Sequence, residues 1–128
     1  MTRVFVVDDD PSVLKATTRL LRASGFEAMP FASPLQYLQQ FDPADPGCLV
    51  VDLNMPGVSG LQLRQALVER GGAPAIVFLT GQAEMPRGAE AMNAGPVAFL
   101  TKPVDGQALV KAVQDVLAQA VSRMDPAS

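Results

Sequence analysis

Three short apolar runs set the limits on what this chain can become. Val4-Phe5-Val6-Val7, Leu49-Val50-Val51 and Ile76-Val77-Phe78-Leu79 show no polar alternation, and Val97-Ala98-Phe99-Leu100 is a weaker fourth. A strand that is apolar on both faces has to be covered on both, which is the condition of a buried strand in a parallel sheet with helices packed above and below. Helical patterns fall between the runs. Asp10-Pro11 reads as a helix cap and first helical residue ahead of Val13, Leu14, Thr17, Leu20 and Leu21, with a stop at Gly25. Ser33-Pro34 repeats that start signal before Leu35, Leu38 and Phe41, and residues 26–31 between these two helices read as an edge strand. A third helix carries Leu61, Leu63, Leu67 and Val68 and ends before Gly71-Gly72. Residues 84–94 make a poor fourth, with Pro86 near its start, Gly88 inside it and only Met85, Ala89 and Met92 as an apolar stripe. The last helix is the best formed, capped by Asp105 and repeating Ala108/Leu109, Ala112/Val113, Val116/Leu117 and Ala120/Val121.

Five strands alternating with five helices predict an α/β fold: a doubly wound, five-stranded parallel sheet of flavodoxin-like order 2-1-3-4-5. The rival closed barrel of eight strands needs roughly 200 residues or more, and this chain has 128. With 48% apolar and 18% charged residues it has the composition of one folded domain. In an open sheet of this order, ligands bind at the carboxyl ends of the strands, where strands 1 and 3 lie side by side.

Those ends are where the polar residues are. Strand 1 runs into Asp8-Asp9-Asp10, strand 3 into Asp52, strand 4 into Thr80 and strand 5 into Thr101-Lys102-Pro103. Neighbouring acidic ends put two or three carboxylates close together, where they repel and force a proton to stay on unless a cation intervenes. Hard oxygen donors with no histidine point to Mg²⁺ rather than zinc. Lys102 brings a point charge suited to a phosphoryl oxygen, and Thr80 a hydroxyl. Taken singly, most of these have plainer readings: Asp10 as a cap, Asp8 or Asp9 as a loop acid, Thr80-Gly81 as a turn, Lys102 as a solvated lysine. Asp52 ends the most apolar strand, ahead of Met55-Pro56-Gly57, and has no obvious capping or turn role. Delivery of such groups by four separate strands to one edge favours a site.

Charge narrows the choice further. Thirteen acidic against ten basic residues give a net charge of −3, so there is no broad basic surface for nucleic-acid phosphates and the domain is not expected to bind DNA itself. The absence of histidine removes the commonest general base, and Cys48 as the only cysteine cannot form an internal disulfide or a Cys/His zinc cluster. No secretory signal and no apolar run of membrane-spanning length is present, so a cytoplasmic location is expected.

Val6-Val7-Asp8-Asp9-Asp10, Val51-Asp52-Leu53-Asn54-Met55-Pro56-Gly57-Val58-Ser59-Gly60, Leu79-Thr80-Gly81, Ala91-Met92-Asn93-Ala94-Gly95 and Phe99-Leu100-Thr101-Lys102-Pro103 together resemble the receiver domain of two-component response regulators, within it the FixJ-like subgroup. The resemblance covers residues 3–121, nearly the whole chain. It implies that Asp52 accepts a phosphoryl group from a histidine of a partner sensor kinase. By the same resemblance Asp9, Asp52 and the Asn54 carbonyl bind Mg²⁺, Asp8 holds a metal-bound water, Lys102 contacts the phosphoryl group, and Thr80 swings in to hydrogen-bond it. Phe99 sits at the family's aromatic switch position. The face of helix 4, strand 5 and helix 5 is where such domains form homodimers or meet partners. No enzyme activity on a separate substrate is implied, only self-phosphorylation and dephosphorylation.

Departures and rivals bear on the signalling face and the chemistry. Ala98 stands where the family often has an acidic residue, and Pro96 removes a backbone donor at the entrance to strand 5. Asn54 and Gln82 stand at the positions through which the family tunes phosphoryl lifetime. A haloacid-dehalogenase-like phosphatase also phosphorylates an aspartate with Mg²⁺, but it requires an acid two residues on, where this chain has Asn54. A flavodoxin-like FMN domain needs a phosphate-cradling first loop, and Asp8-Asp9-Asp10-Pro11 would repel phosphate. A degenerate receiver acting without phosphate is the remaining alternative. Residues 1–123 are expected to be the receiver domain and 124–128 a tail or the start of a linker, toward a helix-turn-helix output domain in the parent chain.

Overall fold

Each apolar run becomes a strand, and the strands pair in the expected order. The computed structural model describes residues 2–42, 47–53, 55, 59–71, 75–81, 97–102 and 104–124. Strands β1 (Arg3–Val7), β2 (Glu27–Phe31), β3 (Cys48–Asp52), β4 (Ala75–Thr80) and β5 (Val97–Thr101) form one sheet in the order β2-β1-β3-β4-β5. All four pairings are parallel, with Val7 opposite Val51, Asp52 opposite Leu79 and Thr80 opposite Thr101. The described helices are α1 (Pro11–Ala23), α2 (Pro34–Gln40), α3 (Gly60–Glu69) and α4 (Gly106–Met124). The helix expected over residues 84–94 lies outside the described residues, so the last helix of the sequence reading is α4 here.

Two cores lie against opposite faces of the sheet, as a doubly wound fold requires. Val4, Val6, Val50, Val77 and Leu79 meet Leu21 of α1 and Leu109, Val113 and Val116 of α4. Val7, Leu49, Val51, Ile76 and Phe78 meet Tyr37 of α2 and Leu63 and Leu67 of α3. Each fully buried aliphatic or aromatic side chain stabilises the fold by about 1.5–3 kcal/mol. Slipping a strand by one residue would exchange its two faces and misplace the residue at its carboxyl end as well. β1, β3 and β4 are covered on both sides, whereas edge strand β5 is half-buried throughout.

Local signals set the helix starts. Asp10 accepts from the Ser12 and Val13 amides at 2.9 and 3.3 Å, with Pro11 at the first helical position. Ser33 accepts from the Gln36 amide at 3.2 Å, and Asp105 from the Ala108 amide at 3.2 Å. α3 opens with a capping box, Ser59 and Gln62 each accepting from the other's backbone N–H. Gly25, which ends α1, has a φ of +96°, a conformation that only glycine adopts without strain.

The buried side of α2 differs from the sequence reading. Leu35, expected on its apolar face, is 65% exposed, while Pro34 and Tyr37 are buried. The helix also stops at Gln40, with Phe41 extended as its C-cap. Seven residues are too few for period alone to select a face, and the aromatic rings of Phe5 and Phe31 select Tyr37.

Candidate functional site

The carboxyl edge of the sheet gathers its charges through backbone bonds that prolong the ladders past the strand ends. The Asp8 amide donates to the Phe31 carbonyl at 3.2 Å, the Leu53 amide to Leu79 at 2.8 Å and the Lys102 amide to Thr80 at 2.7 Å. The residue after each strand is thus held as firmly as the strand. β1 and β3 are neighbours, so Asp8, Asp9 and Asp52 converge, each offering one carboxylate oxygen within 4.8 Å of the others. Lys102 reaches across from beyond β5, and its Nζ lies 3.1 Å from Asp52 Oδ2.

These acids occupy different environments. Asp8 is buried, its Oδ1 accepts from the Asp10 amide at 2.9 Å, and its Oδ2 has no hydrogen-bond partner among the described residues. Asp9 is exposed and Asp52 half-buried. Burial pushes the Asp8 carboxyl above its ordinary value; the Asp10 N–H and Lys102 oppose that rise, and the charges of Asp52 and Asp9 add to it. Three carboxylates facing one ammonium, with a buried carboxylate oxygen lacking a donor, form a set of hard ligands able to hold a divalent cation.

Thr80 ends β4 fully buried, and its hydroxyl donates to the Gly81 carbonyl at 3.2 Å rather than to a group of the acidic cluster. Phe99 lies opposite Phe78 across the β4–β5 pair and stacks on it, ring centroids 5.0 Å apart and planes 23° from parallel. The structure therefore brings together Asp8, Asp9, Asp52 and Lys102, and places Thr80 at the same edge. Asn54, Gln82, Pro96 and Pro103 lie outside the described residues. Met55 is buried in the core beneath α2 and α3 and anchors the chain just after β3.

Two features escaped the sequence reading. At Gly60 an added Cβ would meet the Asp52 carbonyl oxygen at 3.0 Å, Leu53 Cα at 3.1 Å and Phe78 Cδ1 at 3.1 Å. Only glycine lets α3 start this close to the end of β3, and the Gly60 amide donates to the Leu53 carbonyl at 2.8 Å. Arg64 is buried, with Nη2 lacking a hydrogen-bond partner among the described residues, and burial lowers its pKa. Its place between Leu63 and Leu67 was the only sequence hint that it turns inward.

The family model for the response regulator receiver domain matches residues 4–114, most of the chain. The chain belongs to the response regulator receiver family. Among relatives of this receiver, the transcriptional regulatory protein FixJ of Azorhizobium caulinodans is 38% identical over 120 residues, 94% of this chain and 57% of that protein. The transcriptional regulatory protein TdiR of Thauera aromatica is 42% identical over 115 residues, 90% of this chain and 51% of that one. The receiver thus spans little more than half the length of the curated relatives it matches. Among solved structures, response regulator StyR superposes with a TM-score of 0.85 at 40% identity, covering 94% of this chain and 61% of that one. The structure of FixJ-N gives 0.80 at 31% identity, covering 91% and 93%. Among the described residues no helix is long and apolar enough to cross a membrane.

Proposed function

We propose that this receiver is a phosphoacceptor in two-component signalling, with Asp52 as the residue phosphorylated. The observation that carries the proposal is the convergence of the Asp52 carboxylate, the Lys102 ammonium at 3.1 Å and the Asp8 and Asp9 carboxylates at one sheet edge. An Asp52 oxygen attacks the phosphorus of a phosphohistidine on a sensor kinase; a P–O bond forms, the P–N bond breaks, and the imidazole leaves with the bonding pair. The chain has no histidine of its own, so the donor is another protein or a small phosphodonor. Phosphoryl transfer asks a protein mainly for positioning and charge compensation.

Each residue has a part in that. β3 and the Leu53–Leu79 bond fix Asp52 at the sheet edge beside Asp8, Asp9 and Lys102. Lys102 meets the charge of the incoming phosphoryl oxygens, and Thr80, released from the Gly81 carbonyl, donates its hydroxyl to one of them. Asp8, Asp9, Asp52 and the Asn54 carbonyl are the residues that would hold Mg²⁺; the ion supplies charge neutralisation on the phosphoryl oxygens. Asp8 fits that part because its Oδ2 is buried with no donor among the described residues.

On this reading the domain acts on itself and turns over no separate substrate. The mark alters the face that the family resemblance assigns to helix 4, β5 and the last helix, here α4, with Phe99 following Thr80, and that face controls homodimerisation or an output domain of a transcriptional regulator in the cytoplasm. Incubation with acetyl phosphate and Mg²⁺, followed by intact-protein mass measurement, tests the proposal. One phosphoryl group is expected on the wild type and none on Asp52→Asn; equal labelling of the two would overturn it.

A further inference from the structure

β2 is an edge strand, and its outer rim is closed group by group. The Glu27 N–H donates to the Thr2 carbonyl at 2.9 Å, and the Phe31 carbonyl accepts from the Asp8 N–H at 3.2 Å. The backbone groups of Glu27, Met29 and Phe31 therefore face β1, and by the two-residue period of a strand those of Ala28 and Pro30 face outward. An outward row of unpaired N–H and C=O groups is a template for a strand of another chain.

Little of that template is left open. The Arg22 side chain, exposed on the last turn of α1, donates through Nε to the Ala28 carbonyl at 3.0 Å. Pro30 is exposed and has no N–H to offer. Just before the strand the Phe26 N–H is taken by the Leu21 carbonyl at 3.1 Å, and just after it the Ala32 N–H by Gln36 Oε1 at 3.1 Å. From Phe26 to Ala32 the outward donors thus reduce to the Ala28 N–H, beside a carbonyl that is already occupied. No packed element covers the rim instead: an open groove of about 320 Å³ lies between α1 and Pro30, lined also by Leu14, Lys15, Thr18, Arg19 and Arg22.

Charge works in the same direction. α1 carries Lys15, Arg19 and Arg22 along the groove and has no acidic residue. Neither Lys15 nor Arg19 forms an ion pair among the described residues. A two-fold contact sets a surface against itself, so a second copy arriving edge to edge would set these cations against one another.

We infer that Arg22 and Pro30 together form an autoinhibitory catch on the sheet: they stop β2 from pairing antiparallel with β2 of a second copy, and so leave any homodimer of this receiver to form elsewhere. The pair they block is centred on Ala28. Set opposite Ala28 of a second copy, it would exchange two N–H···O=C bonds, and both need the carbonyl that Arg22 holds. A residue with an N–H at position 30 would add one outward donor per copy. The inference is independent of the phosphoacceptor reading.

Arg22→Met/Pro30→Thr opens the edge. Met keeps the reach of the side chain without its donor, and Thr suits an exposed edge strand. Arg22→Ala/Pro30→Thr runs in parallel, so that the test does not hang on one substitution keeping its fold. Arg19→Ala/Pro30→Thr is the control, losing the same charge from the same helix with the Arg22 contact intact. Each is compared with wild type as the whole chain, in EDTA and without phosphodonor, by sedimentation equilibrium over a concentration series and by amide hydrogen exchange. At about fivefold per net backbone bond, the opened variants should self-associate about a hundredfold more tightly than wild type. Exchange at Ala28 should slow in them as protein concentration rises, and the Arg19 variant should behave as wild type. No gain in association over wild type, an equal gain in the Arg19 variant, or association that leaves Ala28 exchange unchanged would each overturn the inference.

Discussion

Replacing Asp8 by Asn should make the metal-free protein more stable and the metal-bound protein less responsive. Asp8 is 2% exposed and carries a charge with only one oxygen satisfied, by the Asp10 amide. Its carboxyl is raised above the ordinary value chiefly by burial. A group whose folded pKa is raised supports the fold fully below its unfolded pKa and loses that contribution as pH rises through the folded pKa. Wherever Asp8 is ionised, therefore, its charge works against folding. Asn keeps the Oδ1 acceptor for Asp10, removes the charge and ends the repulsion from Asp9 and Asp52. It gives up the attraction to Lys102 and leaves an amide where Oδ2 was.

The balance is a gain of about 1 kcal/mol, or a rise in Tm of about 4 °C for a domain of this size. A divalent cation reverses the sense. Binding to the folded state alone stabilises it by about 1.4 kcal/mol at a tenfold excess over Kd, and Asp8→Asn should lose most of that. Thermal melts by circular dichroism, first in EDTA and then in rising MgCl₂, give both quantities. The gap between the proteins in EDTA should also close as pH falls below the Asp8 pKa, where the wild-type residue is itself neutral. A variant less stable than the wild type in EDTA, or one with an undiminished Mg²⁺ response, would refute the reasoning.

Three further outcomes follow from the same geometry. Lys102→Ala removes the cation 3.1 Å from Asp52 and should slow labelling by acetyl phosphate about a hundredfold; an unchanged rate, read by mass against time, would remove Lys102 from the chemistry. Gly60→Ala forces a Cβ to 3.0 Å from the Asp52 carbonyl oxygen and should cost about 1–2 kcal/mol after its better helix propensity is counted, measured as a urea midpoint. Cys48 is fully buried and its thiol is pushed up to about 12, so its contribution to stability is lost as pH rises from the unfolded value toward that figure. Between about pH 8 and about pH 10.5 urea melts should show a loss of about 2 kcal/mol that Cys48→Ala does not share.

What could be read from the residues was what depends on strand character and local caps. Runs such as Leu49-Val50-Val51 admit only a doubly covered strand, and Asp10-Pro11 and Ser33-Pro34 state their helix starts outright. The acidic convergence could be read because strand order places β1 beside β3, and topology likewise brings Lys102 to the same edge, but its 3.1 Å ion pair with Asp52, fifty positions away, was not part of the sequence reading. Less legible was whatever a distant partner decides. Tyr37 is inside and Leu35 outside because Phe5 and Phe31 belong to strands that α2 crosses. The need for glycine at position 60 arises from β3 and Phe78, and nothing in Ser59-Gly60-Leu61 announces it. Thr80 was recognised as an edge hydroxyl, but its bond to the Gly81 carbonyl depends on the backbone direction just past the strand end, which the strand pattern does not specify.

The identity of the phosphorylated atom is tested most directly by trapping it. After exposure to acetyl phosphate and Mg²⁺, borohydride reduces an aspartyl phosphate to homoserine, and peptide mass mapping then reads the position. The expected result is homoserine at residue 52 and nowhere else, absent when Mg²⁺ is replaced by EDTA. Homoserine at Asp8 or Asp9, or no reduction product in a protein that still binds Mg²⁺, would contradict the assignment of Asp52.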